Sequence, residues 1–436
     1  MSSEDHRSTT ALGLQMHALV TELFPIARSL TGEGVRQTLR ILQRELPELT
    51  IHEVPSGTQV FDWIVPPEWT IRDAYILTPN GDRICDFKSN NLHVVGYSIP
   101  IRTRLPLKEL QAHLHSLPEQ PDAVPYVTSY YSEHWGFCLR HRDRLGLQPG
   151  TYTVLIDSTL LPGFLTYGEL LLPGESQDEV FLSTYICHPS MANNELSGPV
   201  VTTFLVRWLV GLSKRRFSFR IAFVPETIGS VTYLSRNLPA MRERVRASFN
   251  VTCIGDGRCY SYLPSRRGDT LADRAAKHVL NHIDPTFHRY SYLDRGSDER
   301  QYCAPGIDLP MASIMRSKYG EYPEYHTSKD DLTFVTPSGL LGGYTALRRS
   351  IEAIERNVRP RVTVLGEPQL GRRNLYPTLS TKDSGHQVKT MMDLIAYCDG
   401  TKDLIDIAET IGTPIWMLYD IVELLKAEGL LEIEPA

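Results

Sequence analysis

From residue 179 onward the chain repeats one unit: an apolar run of strand length, a polar loop, then a helical pattern. The runs are 180–182, 217–224, 247–254 and 309–315, and the helical patterns are 200–212, 233–238, 270–283 and 340–356. Strands that alternate with helices build a parallel sheet, because each crossover helix must pack back onto a sheet face. The predicted fold class is therefore α/β, a doubly wound and mostly parallel sheet. Ligands bind such sheets in the crevice beyond the carboxyl ends of the strands. Polar residues fall there each time: His188 and the segment 192–198 after the first run, Glu226 after the second, Asp256 after the third and His326 after the fourth.

The segment 184–198 is the centre of this pattern. His188 stands against Pro189, with Asn193, Asn194 and Glu195 five to seven residues later, which suits a metal site assembled from loops. Read by itself the segment is equally a capping loop, in which Asn193, Asn194 and Ser197 satisfy backbone groups at a helix start. The other three loops favour the first reading. Two histidines and carboxylates from separate strand ends form the ligand set of a hydrolytic zinc site. Cys187, beside His188, is expected to pack rather than react.

Around this frame lie three other textures. Residues 11–25 and 34–46 carry helical stripes expected to pack on the sheet. From about residue 51 the chain turns to short alternating runs with a tight turn at 79–82, predicting a β-rich insertion at 57–172 within a core domain of 1–56 and 173–360. Its loop with Tyr130, Tyr131, His134 and Trp135 could wall the cleft, although core packing of those rings is the commoner outcome. Residues 360–382 read as a linker. Three helical runs follow, at 387–397, 402–410 and 414–427, and a short strand at 430–433, predicting a winged-helix domain over 383–436.

Composition narrows the function classes. With 42% hydrophobic and 22% charged residues over 436 positions the chain is an ordinary globular protein. A net charge of −6 leaves no footprint for nucleic acid or an anionic membrane, and no apolar stretch is long enough to span a bilayer. Residues 389–436 hold three lysines, no arginine and ten acidic residues, so a phosphate backbone would be repelled there. The winged helix is expected to serve docking or homo-oligomer formation instead. Seven scattered cysteines without a Cys-x-x-Cys pair argue against disulfides, and the polar N-terminus lacks a signal-peptide pattern, so a cytoplasmic location is expected.

These motifs resemble the zinc aminopeptidase superfamily, which includes the glutaminyl cyclases, and within it a bacterial aminopeptidase-like branch with a β-rich insertion, a winged-helix tail and an association with polysaccharide or secondary-metabolite gene clusters. Cys187-His188-Pro189 and the 192–198 segment stand where the superfamily carries a first ligand histidine and a bridging aspartate. Pro225-Glu226-Thr227 stands for its Glu-Glu pair, with Gly229-Ser230 following, and Tyr325-His326-Thr327 with Asp330 matches the last histidine motif. Ser297-Asp298-Glu299 resembles its substrate-pocket loop. The resemblance implies a Zn²⁺ ion held by His188, His326 and a carboxylate, Asp256 or Glu226, with Asn194 in the bridging slot and Glu195 as its substitute if the loop shifts by one residue. It implies Glu226 as general base or ligand, and Glu195, Asp298 and Tyr325 as contacts for a substrate amine. Because Asn194 is neutral where two ions would share a charge, one ion is expected. The implied activity is hydrolysis of an amide or peptide bond in a small peptide or aminoacylated metabolite. Cyclase-type acyl transfer and a catalytically degenerate binding protein are the alternatives.

Overall fold

The computed structural model describes residues 3–373, 375 and 382–435, with backbone only for 3–9 and 382–387. Two compact units divide the chain, one of residues 1–268 and 288–344 and one of 269–287 and 345–436.

The first unit is built on an eight-stranded sheet. In chain order its strands are β1 (Thr50–Pro55), β2 (Phe164–Leu172), β3 (Glu179–Tyr185), β4 (Ser218–Val224), β5 (Val245–Asn250), β6 (Ser261–Leu263), β7 (His288–Arg289) and β8 (Met311–Met315). Their order across the sheet is β1-β2-β4-β3-β5-β8-β6-β7. The central pairs β4–β3, β3–β5 and β5–β8 are parallel, while β1–β2, β2–β4 and β8–β6 are antiparallel. Every residue of β3 and of β8 is buried, as a strand covered on both faces requires. Because the four central strands run the same way, their carboxyl ends open onto one edge, and His188, Glu226 and His326 leave from three of them.

One boundary of the sequence reading needs correction. Phe164–Leu172, placed above in the insertion, is a strand of the main sheet, so the insertion ends near residue 163. Residues 165–168 are buried without alternation, as in a strand covered on both faces, and the pairing with β4 shows which sheet it joins. The inserted module is a four-stranded antiparallel sheet in the order Arg83–Ile84, Glu68–Leu77, Thr151–Leu161, Ile101–Pro106. Beside it, Asn91–His93 form a turn of 3₁₀-helix capped by the Asn90 side chain, and Val94 and Gly96 make single bridges to Phe137 and Thr128.

In the second unit, Val358–Val362 pairs antiparallel with Leu431–Pro435, so the first residues of the expected linker are a strand closing a wing. Residues 374 and 376–381 of that linker lie outside the described residues. The helices are Lys382–Ala396, Leu404–Ile411 and Tyr419–Ala427; the last starts later than expected because residues 415–417 take a 3₁₀ turn first. His278, on the helix Leu271–Ile283, joins this unit together. Its Nδ1 bonds Glu409 Oε1 at 2.6 Å and its Nε2 accepts the Ile415 N–H at 2.9 Å. With Nε2 an acceptor, the neutral ring must carry its proton on Nδ1. Burial holds His278 below the ordinary histidine range, against the pull of Glu409 and with that of His282. The sign follows: a depressed folded value means the stabilisation is complete above the unfolded value of about 6.5 and is lost as pH falls through the folded value. Thermal unfolding of this unit is therefore expected to lose about 1–3 kcal/mol between neutral and mildly acid pH, the cost of one orphaned buried N–H, and His278→Gln should flatten that slope. An equal slope in the variant would assign the effect elsewhere.

Candidate active site

The site is held by one buried ion pair. Arg28 and Glu195 side chains are both fully buried, with Nε 3.7 Å from Oε1. Arg28 Nε also donates to the His188 carbonyl at 3.0 Å and its NH1 to the Leu23 carbonyl at 2.8 Å. Burial lowers Arg28 to about 10, opposed by the Glu195 charge, and raises Glu195 to about 8, opposed by Arg28. Neutralising Glu195 would leave the guanidinium alone in the interior, so we take the pair as ionised. Glu195 Oε2 then accepts the His188 Nδ1 proton at 2.9 Å, which leaves the His188 Nε2 lone pair free. It faces Glu226 Oε2 at 3.6 Å. Two acceptors aimed at one another repel unless a proton or a cation lies between them.

A strained turn sets Glu226 in place. Ile228 N donates to the Glu226 carbonyl at 2.8 Å across Thr227, whose φ of 62° and ψ of −77° are those of the rare γ-turn. Asp298 Oδ1 accepts the Thr227 N–H at 2.7 Å and the Ser230 hydroxyl at 2.8 Å and so locks the turn. Glu226 keeps 22% of its side chain exposed in the pocket; burial and then the Asp298 charge raise it to about 8. Among the described residues, Ser190, Thr227, Cys253 and His326 are four of the eight non-glycine residues with positive φ, so strain concentrates on these loops.

His326 comes from the far side. Its ring lies 5.5 Å from that of His188, stacks on Tyr325 at 3.9 Å, and its Nε2 is buried without a hydrogen-bond partner. Burial and the neighbouring His188 hold it at about 3, hence neutral. The inserted module is tied to this loop: Tyr126 N donates to the His326 carbonyl at 2.8 Å, Ser328 N to the Val124 carbonyl at 2.8 Å, and Pro125 bridges Thr327. Tyr126 packs edge-on against both histidines, at 5.3 and 5.1 Å, and its hydroxyl bonds that of Tyr130 at 2.6 Å. A pocket of about 280 Å³ opens here, lined among others by His188, Glu226, His326, Trp63, Tyr131 and Arg300.

The remaining expected residues go elsewhere. Asp256, expected as a ligand, accepts bonds from Asn193 Nδ2, Ser317 N, Ser317 Oγ and Arg258 N between 2.8 and 3.1 Å, so both oxygens are taken. Asn194 Oδ1 accepts from the Tyr185 hydroxyl at 3.1 Å and is no free bridge. Glu195 orients His188 and does not reach a substrate. Asp298 holds the γ-turn, although its Oδ2 stays unpartnered, and Tyr325 supports His326 from behind. The capping reading of 192–198 finds a changed form: Asn193 Oδ1 accepts Gly255 N and Asp256 N, backbone groups of the neighbouring strand end rather than of a helix start. Asp330 draws the same loop in through Asn193 N at 2.5 Å and Asn194 N at 2.9 Å. Cys187 is fully buried, accepts Glu226 N–H at 3.2 Å, and burial pushes its thiol far up, which removes it as a nucleophile.

Of the aromatic loop, Tyr130 and Tyr131 wall the pocket, whereas Trp135 stacks on His113 at 3.6 Å inside the inserted module. Trp135→Ala is expected to cost about 2–3 kcal/mol of stability and to leave any turnover by the folded protein within about threefold. A selective loss of kcat/KM without loss of stability would return that ring to the cleft. Sequence reasoning missed Arg28, Tyr126, Trp63 and Arg300. Only Arg28 carried a signal, a lone charge inside the apolar run 23–30.

The donor set fits one ion and not two. His188 Nε2, Glu226 and the orphaned His326 Nε2 share the pocket, while Asn194 and Asp256 are committed to other partners. Cys187 and Glu195 also lie within ligand reach of His188, on its Nδ1 side, but Arg28 beside Glu195 would repel a cation there. His278, His282 and Glu409 cluster similarly in the second unit, where the proton fixed on His278 Nδ1 opposes ligation.

The family model described as "Domain of unknown function (DUF4910)" matches residues 17–357, most of the chain. The chain belongs to this family. A winged helix-turn-helix model matches residues 357–433. Among proteins similar to this DUF4910 member, one from Clostridium acetobutylicum is 42% identical over 412 residues, 93% of each chain, and is provisionally described as a polysaccharide biosynthesis protein with an aminopeptidase-like domain. A crystal structure from the same organism, provisionally described as a peptidase, matches with a TM-score of 0.92 at 40% identity over 98% of both chains. The zinc aminopeptidase of Bacillus subtilis matches at 12% identity with a TM-score of 0.57, over 78% of this chain and 94% of its own. The DUF4910 chain thus has the zinc-aminopeptidase fold and a C-terminal winged-helix domain.

Proposed function

We propose that this protein hydrolyses an amide or peptide bond with the help of one zinc ion. The observation that carries the reading is the pairing of the His188 Nε2 lone pair with Glu226 at 3.6 Å beside the unpartnered His326 Nε2, at the edge of the sheet where ligands bind. His188 and His326 would hold the ion, with Glu226 as third ligand or as base. The ion would supply Lewis-acid polarisation of the carbonyl and a more acidic water. Glu195, braced by Arg28, keeps His188 in one tautomer. Glu226, raised into the neutral range, can take a proton from water at its exposed oxygen and return it to the leaving amine. Tyr126, Tyr130 and Leu30 exclude bulk water from that exchange.

The description of the Clostridium relative favours a small peptide or an aminoacylated metabolite of saccharide assembly as substrate. A location in the cytoplasm would suit seven free cysteines. The exposed Asp420, Glu423, Met417 and Leu424 of the winged helix favour homo-oligomer docking over nucleic acid. One observation favours a binding protein without turnover: Asn194 and Asp256 are spent on structure. Metal content by elemental analysis and amine release from a panel of aminoacyl amides test the choice. About one zinc per chain with release of amine is expected; no zinc retained after dialysis against it at neutral pH, with no turnover, hands the site to the binding reading. Release of a cyclised product in place of free acid would select acyl transfer.

A further inference from the structure

The pocket has a cation at its mouth that forms no close ion pair, although its charge reaches Glu226 and Asp298 at longer range. Arg300 is exposed, and among the described residues its guanidinium makes one hydrogen bond, NH2 to Thr227 Oγ1 at 2.8 Å, with no carboxylate within 4.0 Å. That bond fixes one nitrogen against the strained turn and leaves the others of a five-donor fork facing the pocket it lines.

Opposite stands a second feature built at a conformational cost. Gln59–Val60 and Trp63–Ile64 form a hairpin whose two-residue turn starts at Phe61 with φ 53°, a position that glycine, asparagine or aspartate ordinarily fills. The turn lifts Trp63 to the pocket wall, where it meets Tyr131 edge-on at 6.0 Å, and both rings stay exposed, at 37% and 58%. Two exposed rings, contributed by separate loops and inclined at 63° to one another, form a corner at the pocket that holds a flat group by its face on one ring and its edge on the other.

We propose that this pocket selects a substrate group carrying a carboxylate beside a flat, ring-shaped face, with the carboxylate forked by Arg300 and the ring seated in the corner between Trp63 and Tyr131. The proposal rests on the pocket's being the substrate pocket of the hydrolase reading, and its chemistry is that of recognition alone. Arginine suits the task because its planar fork matches both oxygens of a carboxylate, where a lysine would give a point charge. A sugar acid and an aromatic acyl-amino acid both present this combination, and the probes separate them.

The test is binding to the full chain, measured calorimetrically with two isosteric pairs: hippurate against hippuramide, and glucuronate against glucuronamide. The charged member of at least one pair is expected to bind about 10- to 100-fold tighter than its amide. Arg300→Gln should erase that preference while leaving the affinity for the amide, and Trp63→Ala should weaken both members of the pair. Equal binding of acid and amide, retention of the preference in Arg300→Gln, or no binding of any probe at about 10 mM overturns the proposal. Hydrolysis of neutral amides without a carboxylate preference would overturn it and leave the hydrolase reading standing; a carboxylate preference in a protein without turnover would do the reverse.

Discussion

Replacing Arg28 by methionine is expected to destabilise the protein by about 3–5 kcal/mol, because it leaves Glu195 in the interior without its counter-ion, to stay a lone charge or to take up a proton. Total stability is typically about 5–15 kcal/mol, so the variant should unfold at much lower urea than the parent. The methionine conserves length and apolar stem, which keeps packing loss small beside the electrostatic loss. It also orphans the His188 carbonyl and takes one of two donors from the Leu23 carbonyl, which keeps the Ile26 N–H. The double variant Arg28→Met, Glu195→Gln should recover about 1–2 kcal/mol, since no lone charge remains. A single-variant loss below about 1 kcal/mol would mean that Glu195 is neutral in the native protein, and the lone pair on His188 Nε2 would have to be reassigned.

The second large effect is on rate. Glu226→Gln keeps shape and removes the group that can accept a proton, and it is expected to lower kcat by about 10²–10⁴ while unfolding stays within about 1 kcal/mol of the parent. Stability should hold because the Thr227 turn is fixed by backbone and by Asp298, not by the Glu226 carboxylate. Elemental analysis of the same variant separates its two possible roles. Zinc retained with activity lost marks the base; zinc lost with activity marks a ligand. A variant with near-parental kcat would remove Glu226 from the chemistry altogether.

The periodicity of the chain made the strand ends legible, and with them His188, Glu226 and His326, because a residue just past a buried parallel strand has only one edge of the sheet to emerge on. Side-chain direction beyond that point was not legible. Cys253 turns left-handed at φ 48°, and three residues later Asp256 points to Ser317 rather than to the histidines. No propensity signals such a turn at a cysteine. Asn194 and Glu195 sit in a π-turn, Ala192–Leu196, and the one extra residue it holds decides which of the two faces His188. Asp298 was placed at the right loop for the wrong reason, since its partner is a backbone N–H that sequence cannot show. Phe164–Leu172 was misplaced because its neighbours in sequence belong to the insertion and its neighbours in space do not.

The seam between residues 124–128 and 326–328 changes what counts as a separable part. An inserted module is ordinarily a detachable ornament, free to be exchanged among relatives while the parent scaffold keeps its chemistry. Here the ornament supplies the main-chain donor to the His326 carbonyl and the ring that lies against both histidines. Trimming the chain back to its α/β scaffold would therefore unstitch the last histidine along with the specificity wall, and any graft of a foreign insertion must bring its own five-residue splint for that loop.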